Sequence, residues 1–110
     1  MSVDQTDVVD SIGTDRESGR VVLTISDHLS WDENERDNHF RQLEEKIHAY
    51  LRFIESGQIH ARYPGAKDRH FEIRAVMKYG PPAKATDFLE AARDQLAVRG
   101  IAFSYRVLPD

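Results

Sequence analysis

Five histidines, His28, His39, His48, His60 and His70, are the side chains here best able to ligate a metal or move a proton near neutral pH. Their spacing works against a metal site. Roughly nine to twelve residues separate successive ones, whereas ligand pairs need close spacing on one helix or strand face. The nearest approach to a ligand pair is Glu44 or Glu45 with His48. A Glu-x-x-His pair holds metal in di-iron bundles only beside a second such pair and two further glutamates from other helices. With no cysteine in the chain, thiolate nucleophiles, disulfides and thiolate-bound zinc are excluded. No metal or other cofactor is expected.

Ser26-Asp27-His28 has the residue types of a hydrolytic triad. Neighbouring strand residues point to opposite faces, however, so Asp27 is badly placed to orient His28. No Gly-x-Ser-x-Gly elbow and no glycine-rich phosphate loop accompany the run. Asp27 is expected to satisfy backbone donors where a strand turns toward a helix, with Trp31 sealing that corner of the core. The enzymatic alternative is a small hydrolase or ligand-binding enzyme with a concave pocket at Asp27, His28 and Trp31.

Six elements would position these groups. Val8–Thr14 and the β-branched run Arg20–Ser26 flank a polar stretch ending in Gly19, the pattern of a hairpin. Ser30-Trp31-Asp32-Glu33 resembles a capping box and Asp32-Glu33-Asn34-Glu35 another in a shifted register, so a helix is expected from there to Ser56-Gly57, with Phe40, Leu43, Ile47, Tyr50, Leu51 and Ile54 as its buried stripe. Such a helix is long enough to overhang a small sheet. Between Ile59 and Arg69 no regular period emerges, although Tyr63-Pro64-Gly65 is a turn signal. Phe71, Ile73, Ala75, Met77 and Tyr79 then alternate with polar residues as a strand with one buried face, stopped by Gly80-Pro81-Pro82. A second helix buries Ala85, Phe88, Leu89, Ala92 and Leu96 and ends at Gly100. A last strand turns Ile101, Phe103, Tyr105 and Val107 inward.

The order β-β-α-β-α-β predicts an α+β two-layer sandwich with a four-stranded mixed sheet and both helices on one face. The last two strands should be parallel through a right-handed crossover, and the hairpin's direction stays open. At 110 residues, the chain is one domain spanning 1–110, with 1–6 and 109–110 frayed.

Fifteen Lys and Arg against nineteen Asp and Glu give a net charge of −4, which disfavours nucleic acid. No apolar run is long enough for a bilayer, and the first residues lack a signal peptide's pattern. A cytoplasmic protein is expected, with no membrane association. The charge is uneven. Acids dominate up to Asp37, while bases dominate from Arg62 to Lys84. The outward sheet face should carry Arg20, Val22, Thr24 and Ser26, then Glu72, Arg74, Val76 and Lys78, then Ser104 and Arg106. Four bases against one acid suit an acidic protein surface or a second sheet. No aromatic platform for single-stranded RNA lies on that face.

The runs Asp7–Gly13, Gly19–Leu29, Lys46–Gly57 and Tyr63-Pro64 resemble a family of small bacterial domains of unknown function. The resemblance implies a bacterial, cytosolic, single-domain protein and supplies no activity, cofactor or site residue. The leading expectation is a non-enzymatic protein-interaction domain, binding a protein partner or itself as a homodimer through the outward sheet face or the long helix. Arg20, Val22, Arg74, Val76, Lys78 and Arg106 form the expected interaction face. Reversing the charge at Arg74 and Arg106 together is expected to weaken association and leave stability nearly intact.

Overall fold

Apolar residues alternate along three strands and recur at helical spacing along two long helices, and the chain folds accordingly. A computed structural model describes residues 10–109. The elements are β1 (Ser11–Thr14), β2 (Val21–Asp27), α1 (Arg36–Glu55), α2 (Gln58–Arg62), β3 (Phe71–Met77), α3 (Ala83–Val98) and β4 (Ile101–Val107), with a 3-10 turn over Pro64–Ala66.

The four strands form one sheet in the order β1-β2-β3-β4. β1 runs antiparallel to β2, with Ser11 opposite Thr24 and Thr14 opposite Val21. β2 and β3 are parallel, Val21 facing Phe71 and Asp27 facing Met77. β3 and β4 are also parallel, Phe71 facing Ile101 and Met77 facing Val107. This settles the hairpin direction. Both crossovers step the same way along the sheet, so right-handed connections place α1 and α3 on one face. The α+β two-layer architecture with a mixed four-stranded sheet is as expected.

Between those layers lies the core. Leu23 and Ile25 of β2, Ile73, Ala75 and Met77 of β3, and Ile101 and Phe103 of β4 pack with Leu43, Ile47, Tyr50 and Ile54 of α1 and Ala85, Leu89 and Leu96 of α3. Gly19 closes the hairpin at φ 72°, and Gly57 ends α1 at φ 85°, conformations that cost other residues steric strain. Asp15 braces the same turn. The Ser18 hydroxyl and the Glu17 backbone N–H donate to its carboxylate and hold its pKa below the usual range.

Several boundaries differ from expectation. α1 begins at Arg36, not at the Ser30 capping box, and no side chain caps it. Trp31 is the reason. Its side chain is buried and its indole N–H donates to the Tyr79 carbonyl at 3.2 Å, so the chain must leave that contact before a helix can start. The Ser30 hydroxyl instead accepts from the Asp32 N–H in a local turn. The segment with no readable period holds α2 and the 3-10 turn, whose buried Ile59 and Ala66 close the end of the core. Tyr79 lies past the end of β3 and is exposed, as is Val107 on the edge strand. Val8 and Val9, expected in β1, fall outside the described residues, as do the frayed end 1–6 and Asp110.

Candidate functional site

Three polar clusters stand out on this frame, two buried beneath the sheet and one on its open face. The first sits where β2 ends. Asp27 is the last residue of β2 and His39 lies in the first turn of α1. His39 Nε2 is 2.6 Å from Asp27 Oδ2, and both side chains are essentially inaccessible to solvent. Nδ1 of His39 lies 3.0 Å from the Ser30 carbonyl oxygen. A carbonyl oxygen can only accept, so Nδ1 is the donor in that contact, and Nε2 faces the Asp27 carboxylate. The other carboxylate oxygen of Asp27 accepts from the Leu29 N–H at 3.1 Å. Trp31 stacks on the imidazole, with ring centroids 3.6 Å apart and planes at 22°.

Both side chains of this pair are closed off from solvent. His28 is exposed and makes no hydrogen bond to Asp27 among the described residues. Asp27 is thus paired with a histidine twelve positions away in sequence rather than with its neighbour.

The second cluster ties the sheet's β1 edge to α1. Lys46 is fully buried, with Nζ 3.0 Å from Asp10 Oδ1. Asp10 Oδ2 accepts from the Ser26 N–H. The Tyr50 hydroxyl accepts from the Asp10 N–H and donates to the Thr24 carbonyl. Burial pushes the Tyr50 hydroxyl well above its usual pKa. Sequence reasoning named His39 only among five histidines and Lys46 not as a site residue, and placed neither in the buried stripe. The signal was present, since His39, Leu43, Lys46 and Tyr50 follow one another at helical spacing along the buried stripe of α1.

The third cluster lies on the face that no helix covers. The register aligns Val22, Glu72 and Ala102 in one row, Thr24, Arg74 and Ser104 in the next, and Ser26, Val76 and Arg106 in a third. Glu72 is at its centre. Arg74 pairs with Glu72 Oε2 at 2.8 Å, Arg20 with Oε1 at 3.3 Å, and the Ser104 hydroxyl donates at 2.9 Å. Burial would raise the Glu72 carboxyl, but the Ser104 hydroxyl and the Arg74 and Arg20 guanidiniums hold it below the usual carboxylate range. Val22 is buried beneath these side chains and Val76 is half-buried. Lys78 and Arg106 are exposed and form no ion pair among the described residues. Two of the four bases therefore face solvent without an acid beside them.

A cleft of about 470 Å³ lies outside the carboxyl ends of the parallel strands, lined by Ser26, Asp27, His28, Val76, Lys78 and Tyr79 among others; a concavity thus lies at the Asp27–His28 corner, without Trp31 in its lining. Open parallel sheets bind ligands at such ends where the strand order reverses. Here β2, β3 and β4 succeed one another without reversal, so no crevice opens between diverging crossovers. A groove of about 430 Å³ separates α1 from α3, with Ile47, Leu51, Phe88 and Ala92 on its floor and Glu44 and His48 at its rim. Among the described residues no group of three or more histidines, aspartates and glutamates could hold a metal ion, and no helix is long and apolar enough to cross a membrane.

The model of a family of unknown function, DUF6572, matches residues 1–109. No curated protein and no solved structure matches the chain.

Proposed function

We propose a function on this premise: the chain belongs to the DUF6572 family, whose role is unknown, so the reading rests on the chain's own geometry. It is a non-enzymatic interaction domain, and its helix-free sheet face receives an acidic protein surface. One observation carries this reading. Glu72, the acid on the face, is enclosed by Arg20, Arg74 and Ser104, while Lys78 and Arg106 project from its end exposed. The face is thereby a preorganised basic platform with a small apolar contribution from Val76.

A second copy offers this face a surface that is itself basic, since the same patch lies on both sides of a face-to-face twofold contact. Nucleic acid fits poorly, since the three rows hold no aromatic ring on which a base could stack. The enzymatic alternative at Asp27, His28 and Trp31 has a cleft lined by Asp27 and His28, but the Asp27 carboxylate is enclosed by His39 rather than turned to solvent. The absence of cysteine suits a reducing compartment, and we place the protein in the cytoplasm as part of the same reading.

The test measures anisotropy of a labelled polyglutamate peptide titrated with the full chain at low and high salt. Lys78→Glu combined with Arg106→Glu should weaken binding at least about tenfold, in line with the loss of two charge contacts. The melting temperature should stay nearly unchanged, because neither side chain is buried. Arg74→Glu is the wrong probe despite its place on the face. It would set a second carboxylate against Glu72 and cost stability by itself. Peptide binding that is indifferent to both the double reversal and salt would overturn the proposal.

A further inference from the structure

We propose that the outer edge of β4 pairs antiparallel with β4 of a second copy about a twofold axis at Ser104, giving one continuous sheet across the dimer. This stands apart from the sheet-face reading, since it uses the backbone edge and not the face.

The two edges of the sheet are unequal. β1 has four residues and leads into a turn carrying Asp15, Arg16 and Glu17, the short and charged kind of edge that resists pairing. β4 has seven residues, Ile-Ala-Phe-Ser-Tyr-Arg-Val, with one charge and no proline or glycine. Its outward backbone groups can be assigned. The Leu108 N–H donates to the Met77 carbonyl, so the even-numbered residues of β4 face β3 and the odd-numbered ones face outward. Ile101, Phe103, Tyr105 and Val107 therefore present unpaired N–H and C=O groups along one edge.

One antiparallel register satisfies all four. Ile101 falls opposite the partner's Val107 and Phe103 opposite the partner's Tyr105, each exchanging two hydrogen bonds, with Ser104 on the axis. Moving the axis to Phe103 or Tyr105 leaves an outward residue at the strand end unpaired. Moving it to Arg106 sets that cation against itself. In the favoured register Arg106 faces the partner's Ala102, so no like charges meet.

Apolar exposure agrees with this choice. The exposed large hydrophobics among the described residues are Tyr79, Val98, Val107 and Leu108, and the last three lie at the two ends of β4. An antiparallel pair brings the Val98 end of one copy beside the Val107–Leu108 end of the other. It also lays Phe103 of each copy against the half-exposed Tyr105 of the other on the helix side, a favourable cross-strand aromatic pair.

The chain has no cysteine, so a single introduced thiol reads the register. In Ser104→Cys the two thiols would sit in a non-hydrogen-bonded pair with Cα atoms about 4.5 Å apart, within disulfide reach. In Ala102→Cys they would be four positions out of register, roughly 13 Å along the strand. Under mild oxidation of the full chain, Ser104→Cys should give a covalent dimer at least about tenfold faster than Ala102→Cys, given that difference in reach. Light scattering should give twice the chain mass for the wild type in the micromolar range. Val107→Pro removes an outward N–H and should shift that mass to one chain with its circular dichroism unchanged. If Val107→Pro fails to fold, the cysteine pair decides alone. A wild-type mass of one chain across the micromolar range, or equal oxidation of the two cysteine variants, would overturn the proposal.

Discussion

His39 Nε2 lies 2.6 Å from Asp27 Oδ2, and this contact fastens the first turn of α1 to the carboxyl end of β2. Helix α1 has no side-chain cap, and this contact anchors its first turn to the sheet. The adjoining Trp31 closes the site from one side through its stack on the imidazole, and its own N–H reaches past the end of β3 to Tyr79. The end of β2, the start of α1 and the segment carrying Trp31 meet at this buried contact.

Removing either partner of that contact should be costly. Asp27→Ala and His39→Ala are each expected to lower unfolding free energy by about 3–5 kcal/mol, the range for leaving one member of a buried pair uncompensated. The double variant should cost less than the two singles together, by about 1–3 kcal/mol. Urea unfolding followed through Trp31, the one tryptophan in the chain, measures all three. Strictly additive losses would rule out the coupling.

Glu72 makes the open face sensitive to acid. Its pKa is held below the usual carboxylate range in the fold, so the folded state favours the ionised form. The stabilisation is complete above the ordinary carboxylate pKa and disappears as pH falls through the lower folded value. Glu72→Gln should lower stability at neutral pH by about 1–3 kcal/mol, the cost of breaking hydrogen bonds to a buried charged group. It should also flatten the acid side of a melting-temperature profile. An acid limb identical to the wild type would show that Glu72 is not the group responsible.

Tyr50 gives the opposite sensitivity. Burial raises its pKa above the ordinary phenol value, so folding favours the protonated form. That contribution is present in full below the ordinary tyrosine pKa and is lost as pH rises through the folded value. In an ultraviolet titration, one of the four tyrosines should ionise only when the protein unfolds. Tyr50→Phe should remove that late step and make the protein less sensitive to alkali. It should also cost about 1–3 kcal/mol at neutral pH, because the Asp10 N–H and the Thr24 carbonyl both lose their hydroxyl partner. Four tyrosines titrating together in the folded wild type would contradict this picture.

The elements were legible wherever one periodicity dominated. Alternation in Phe71–Met77 and Ile101–Val107, and helical spacing in α1 and α3, gave the strands, the helices and the face each residue would join. The rows on the open sheet face follow the expected alternation. Ile59–Arg69 was opaque because α2 and the 3-10 turn are each too short to show a period. The start of α1 was misread because a capping-box pattern is local, whereas Trp31 is held by a contact with Tyr79 forty-eight positions away in sequence.

The amino-acid sequence by itself determined the six principal elements, their apolar faces and the basic character of the exposed sheet, since each depends on neighbours within a few residues. Tertiary structure alone decided which polar groups meet. The burial of His39 and Lys46 follows from the sheet bringing Asp27 and Asp10 to them, and Glu72 looked like a lone acid among bases until register set Arg20, Arg74 and Ser104 around it. The physical reason is that a buried charge is tolerable only beside its partner, and these partners are separated in sequence and joined by the order of strands.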